Sequence, residues 1–196
     1  MLRKVMAFSI AAMLIFVVGC SKAPQQEMQN ADAAITLAVD NEAAQYAPAA
    51  YKVAMDTLNA AKAAVKEQDS KFVLFRSYGK SKEMCIAAER LAKDAVTTAQ
   101  AEKEKVKAEV SFLMTQVESA LEGANAALAK APRGKGSRAD IELMQADLDN
   151  AKNGIVEAKA DFDGGKYLAV KAKLETIQEK INEVNNQIEA AKAKKK

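Results

Sequence analysis

Histidine is absent from all 196 residues, and that absence limits the chemistry this chain can do. Without imidazole there is no Ser-His or Cys-His nucleophile pair, no general base of the commonest kind and no histidine metal ligand. The remaining candidates are short motifs. Gly134-Lys135-Gly136-Ser137 holds a Gly-Lys pair but lacks the full phosphate-loop spacing, and no strand precedes it, so it reads as a helix connector. Arg133, Lys135 and Arg138 around it are candidate contacts for an anionic lipid or glycan. Asp161-Phe162-Asp163-Gly164 opens like a calcium loop, but Gly165 and Ala172 stand where later ligands are required, and a solvated helix end is the better account. Cys85 lies between Met84 and Ile86 beside the apolar stripe Ala88, Leu91, Ala92 and Ala95. It reads as a buried structural thiol, with an intermolecular disulfide as the sharper alternative. Tyr46, Tyr51, Phe72 and Phe75 are candidates to line a pocket, but the same spacing suits the few large residues of an alanine-rich core. No catalytic residue, metal site or cofactor is expected. An enzyme working through carboxylates alone would need a cleft that a thin bundle rarely provides.

The elements that would position these groups are helices. The chain is 49% hydrophobic but only 5% aromatic, with alanine supplying much of the difference, and it has three prolines and eight glycines. Alanine has the highest helix propensity and little side chain to bury, which predicts long, closely packed helices with few breaks. A first helix is expected from Met28 to about Gln45, interrupted at Tyr46-Ala47-Pro48, with Pro48 in the first turn of a second helix. There Tyr51, Leu58 and Val65 recur every seven residues with Ala54 and Ala61 between them. After the turn Gln68-Asp69-Ser70, a third segment runs without proline to Pro132, with Gly79 as the expected kink. Val106, Val110, Leu113, Val117, Ala120, Ala124 and Leu128 give it a coiled-coil seam, and an unbroken helix from Lys80 to Lys130 would span roughly 75 Å.

Beyond the loop 131–137, where Ser137 and Asp140 resemble a capping box, Ile141, Leu148, Ile155 and Phe162 recur in a fourth helix. Gly164-Gly165 turns it into a fifth, carrying Leu174, Ile181 and Ile188 with Ile177 and Val184. The turns Asp69-Ser70-Lys71-Phe72 and Gly164-Gly165-Lys166-Tyr167 form a weak internal repeat. The expected fold class is all-α: an elongated antiparallel helical bundle or coiled coil of about five helices, two three-helix bundles sharing a long central helix. The expected organisation is a leader over 1–19, a flexible tether over 20–27, an N-terminal helical domain over 28–130, the loop, and a C-terminal hairpin over 138–196 packed on the central helix.

The leader carries the chain's most specific pattern. Arg3 and Lys4 precede an apolar run from Val5 to Val18, which ends in Gly19-Cys20-Ser21. The run is shorter than the roughly 20 apolar residues a membrane-spanning helix needs. A plain secretory signal, leaving Cys20 as an ordinary thiol, is the other reading. The segment resembles a bacterial lipoprotein signal peptide with its lipobox. That resemblance implies cleavage between Gly19 and Cys20, a diacylglyceryl group on the Cys20 sulfur, an acyl group such as palmitate on the new amine, and, from Ser21 in place of Asp, an outer-membrane address facing the periplasm rather than the inner membrane. Cys85 is then the sole free thiol, which excludes a thiolate zinc site and an intramolecular disulfide. Loss of residues 1–19 removes Arg3, Lys4 and no acid, lowering the formal charge from +3 to +1. A nearly neutral chain with interspersed charges argues against nucleic acid as a partner.

Residues 25–96, with Tyr46-Ala47-Pro48, the alanine-spaced helix after it and the Asp69-Ser70-Lys71-Phe72 turn, are similar to an alanine-rich domain of unknown function in Gram-negative lipoproteins. The resemblance implies a helical envelope domain and brings no catalytic residues. The expected function is therefore a non-enzymatic structural or interaction scaffold, held by membrane lipid and offering a surface to another envelope protein. The alternative is a peptidoglycan tether resembling the small helical lipoprotein joined to the cell wall through its C-terminal lysine, here Lys196. The oligomeric state is left open.

Overall fold

The computed structural model describes residues 22–132 and 138–193. Among these residues all regular structure is helical: α1 Gln25–Asp40, α2 Ala43–Tyr46, α3 Pro48–Asp69, a 3₁₀ turn Val73–Phe75, α4 Gly79–Ala129, α5 Arg138–Asp163 and α6 Tyr167–Ala193. The protein is all-α, a helical bundle protein divided into two compact units with the boundary between Glu102 and Lys103. Helix α4 is unbroken and contributes to both. Gly123 lies within it with no atom within 4 Å of where a Cβ would sit, so it is tolerated there without a packing role.

In the first unit α1, α3 and the N-terminal part of α4 share one core. Ala31, Ala34 and Ile35 meet Ala54 and Leu58 and Ala88 and Ala92, with Tyr51, Met55 and Leu91 packed at the margin. Ala31, Ala54, Ala88 and Ala92 have no exposed surface. Methyl groups at these positions let helix axes approach to the short end of the usual 8–10 Å range, so small contacts and propensity replace large side chains as the source of stability. Such a seam has no room to spare. Ala92→Leu replaces a buried methyl with an isobutyl group and is expected to destabilise the protein by about 1–3 kcal/mol, measured by urea unfolding, even though leucine is a good helix former.

The order of the helices in this unit is antiparallel for α1 and α3 and parallel for α1 and α4. Lys62 of α3 pairs with Asp32 of α1 at 2.5 Å, Lys82 of α4 with Glu27 of α1 at 2.9 Å, and Gln100 donates to Asn41 at 2.8 Å. The start of α1, the end of α3 and the start of α4 therefore lie at one end of the unit.

The local breaks differ from the sequence expectation in three places. Helix α1 begins at Gln25 rather than Met28, and Pro24 before it is buried, so the segment expected to be a flexible tether through residue 27 is already folded from Pro24 on. The first helix stops at Asp40 instead of running to Gln45. Glu42 takes a left-handed conformation with φ 56°, after which α2 supplies a single turn before Pro48 opens α3. Gly79 is not a kink; it is the first residue of α4, and the interruption is the connection before it.

In the second unit the residues of α4 from Lys103 onward, α5 and α6 bury a core of larger side chains. Val110, Val117 and Leu128 join Leu148, Ile155 and Ala158 and Val170, Leu174, Ile181 and Ile188, each at most 4% exposed. Apart from Val170, these belong to the seam patterns of the sequence, now facing one another across three helices.

The turn from α5 to α6 is a Schellman motif. Lys166 N–H donates to the Asp161 carbonyl at 3.0 Å and Gly165 N–H to that of Phe162 at 2.9 Å, with Gly165 at φ 78°. Only glycine adopts that conformation without steric cost, which is why the Gly-Gly pair marks the turn. Tyr167 then stacks in a tilted arrangement on Phe162, ring centroids 5.1 Å apart.

Candidate functional site

Cys85 sits in the first unit with no exposed surface. Burial raises its thiol above the usual range, and the carboxylates of Glu27 and Asp32 add to the rise against an opposing effect of Lys62. Little thiolate is present at neutral pH and the sulfur is enclosed, the environment of an inert structural cysteine. Among the described residues no group of three or more Cys, Asp and Glu side chains converges in a way that could hold a metal ion.

The carboxylate pattern that opened like a calcium loop is organised otherwise. Asp161 accepts from Lys166 Nζ at 2.9 Å and from Lys173 Nζ at 3.0 Å, and these ammonium groups hold its carboxyl below the ordinary range. Its role is to fasten the α5–α6 turn to the first turns of α6. Nearby, Lys171 reaches Glu109 of α4 at 2.9 Å, and Lys159 pairs with Glu118. These pairs are largely solvated, so they align the helices of the unit more than they stabilise it.

Arg138 is the first residue of α5 and pairs with Glu142 one turn later at 2.9 Å while remaining 88% exposed at its side chain. Its two expected companions at an anion contact, Arg133 and Lys135, lie outside the described residues, as do Gly19, Cys20, Ser137 and Lys196.

Of the four aromatics expected in the core, two lie outside it, while Tyr51 packs at its margin. Tyr46 is buried, but Phe72 and Phe75 are 66% and 75% exposed, and Val73 and Leu74 between them are 48% and 67% exposed. The two rings are 6.3 Å apart on the outside of the 3₁₀ turn. The equivalent aromatic of the supposed repeat, Tyr167, packs on Phe162, so the two turns share a string of residue types and not an environment.

The connection that carries these side chains is held from within. Arg76 donates through Nε to the Lys71 carbonyl at 2.9 Å and through its guanidinium end to the Asp69 carbonyl at 2.8 Å. Ser77 N–H donates to Gln68 Oε1 at 3.1 Å. Tyr78, 4% exposed, donates its hydroxyl to the Asp69 carboxylate, and that hydrogen bond together with burial raises the phenol above its usual range. Ser81 then donates to the Tyr78 carbonyl at 2.9 Å, beneath the first turn of α4. The connection is braced by hydrogen bonds among its own polar groups, with Tyr78 and Ser81 buried beneath it, and its apolar side chains are turned out. The sequence signal for this tip was an apolar run of four, Phe72-Val73-Leu74-Phe75, outside any heptad register and set between Ser70-Lys71 and Arg76-Ser77.

Compared with protein-family models, with curated proteins and with solved structures, the chain has no match.

Proposed function

We propose that this chain is a lipid-anchored, non-enzymatic helical scaffold of the bacterial cell envelope, held in the outer membrane by acyl chains on Cys20 and facing the periplasm. The observation that carries the reading is Val17-Val18-Gly19-Cys20 at the end of a short basic-led apolar run. A folded helical body beginning only a few residues later, at Gln25, supports it. So does the makeup of that body. Its described helices bury alanine, valine, leucine and isoleucine, and none is long and apolar enough to cross a membrane, so attachment falls to the N-terminal lipid. The similarity of residues 25–96 to the alanine-rich domain of Gram-negative lipoproteins points the same way. In this reading the exposed flanks of the two helical units present surfaces to another envelope protein.

The test is the behaviour of the wild-type protein in fractionated envelopes. It is expected in the outer-membrane fraction, to stay there through high salt and alkaline carbonate, and to be released by detergent. Recovery in the salt or carbonate wash would contradict a covalent lipid anchor.

A further inference from the structure

We propose that the Phe72–Phe75 tip is a second, reversible membrane contact that enters the interfacial layer of the same bilayer that holds Cys20; the proposal rests on the lipid-anchor reading for the identity of that bilayer. Two independent features of the first unit lead to it. The first is the outward set of four adjacent apolar side chains, each about half exposed or more, in a chain with few aromatics. Leaving two phenylalanines in water is costly, and the connection is built to keep them there. Hydrogen bonds made by Arg76, Gln68 and Tyr78 brace the turn in its outward-facing form.

The second feature is position. The tip lies between the end of α3 and the start of α4, the end of the unit where α1 begins, as the Lys82–Glu27 pair at 2.9 Å fixes. Pro24 is buried on that unit, and Met28 N–H donates to its carbonyl at 2.9 Å, so the chain leaves the folded body from this same end. From Lys22 back to Cys20 is two residues, a reach of at most about 7 Å. Acyl chains on Cys20 therefore bring this end of the unit to the bilayer surface.

Charge does not choose the occupant. Of the basic side chains near the tip, Lys71 pairs with Glu67 at 3.0 Å, Lys82 with Glu27 at 2.9 Å, and Arg76 is bonded to the Lys71 and Asp69 carbonyls. The apolar tip and its place beside the anchor choose it: outward phenylalanine and leucine side chains held at a bilayer surface suit the boundary between headgroups and acyl chains. Four side chains are too few to hold a protein on a membrane alone, since even one myristoyl chain binds only marginally. Beside a covalent anchor they act at high effective concentration, and they set how the first unit stands on the membrane instead of swinging on its tether.

The experiment uses the full-length protein, purified with its acyl chains and reconstituted into vesicles containing anionic phospholipid. Leu74→Cys is labelled with an environment-sensitive fluorophore, and Leu143→Cys on α5, also exposed, serves as the reference. Cys85 is buried, and the parent protein carried through the same labelling reports any reaction there. The label at 74 is expected to shift to the blue, to lose most of its emission when the vesicles contain phospholipid with a nitroxide near the headgroup, and to be shielded from iodide; the label at 143 should show none of these. A label at 74 that behaves like the one at 143 overturns the proposal. A blue shift without nitroxide quenching also overturns it, and would place a protein surface on the tip. The mass of the Cys20 peptide from the same sample reports the anchor separately. If that peptide is unmodified the anchor reading falls, while the quenching still decides whether the tip meets lipid.

Discussion

Placed behind an unrelated cleavable secretory signal and carrying Cys20→Ala, the protein is expected to leave the membrane almost completely and to appear in the soluble periplasmic extract. Immunoblots of the fractions check this against the wild type. The magnitude follows from the arithmetic of acyl chains. Each buried methylene contributes about 0.8 kcal/mol, and a single chain of myristoyl length binds with a constant on the order of 10⁴ M⁻¹, whereas two or more chains hold almost irreversibly. Removing all of them takes away the whole of that attachment. No described helix is long and apolar enough to span a bilayer. The Phe72–Phe75 tip offers too little apolar surface to retain the protein through washing. Circular dichroism should be unchanged, because the described helices begin at Gln25, beyond the substitution.

The second large effect belongs to the C-terminal unit. Leu174→Ala is expected to destabilise the protein by about 3 kcal/mol, within the range of roughly 2–5 kcal/mol for deleting a buried leucine, as measured by urea unfolding followed by circular dichroism. Leu174 is fully enclosed in the core that also holds Leu148, Ile155 and Ile181. Those neighbours are themselves packed across three helices, two of them joined by the Schellman turn, so the cavity closes only in part. An exposed apolar position on the same bundle gives the contrast. Leu143, 66% exposed on α5, should tolerate alanine with little change. Equal losses at the two positions would show that the burial described for α6 is wrong.

The two units were unequally legible in the sequence. In the second, Leu148 and Ile155 on α5 and Leu174, Ile181 and Ile188 on α6 recur at heptad spacing, and bulky aliphatic residues at that period have no other way to be buried. The Gly-Gly pair announced its turn because a left-handed residue is cheapest as glycine, and Gly165 fills that position. In the first unit the pattern was carried by alanine, which marks a helix well and a face poorly. The break at Glu42 had no signal at all, since the left-handed residue there is neither glycine nor asparagine.

The aromatics of the first unit misled for a physical reason. In a chain so poor in large side chains, the spacing of Phe72 and Phe75 suits a core as well as it suits a connection. Their place in the connection is decided instead by Arg76, Gln68 and Tyr78, whose hydrogen bonds depend on the folded geometry of 68–81. A run of four apolar residues that fits no helical period was the available clue. For the candidate anion contact, Arg138 proved to be the first residue of α5, paired with Glu142, which gives it an intrahelical role whatever else it meets.

The anchor is the central claim, and the mass of the N-terminal peptide of the mature protein, taken from membranes, tests it most directly. The account predicts a peptide that begins at Cys20 and is heavier than its sequence by a diacylglyceryl group on sulfur and an acyl chain on the amine. A mature protein that begins at any other residue, or at Cys20 with an unmodified thiol, would contradict it.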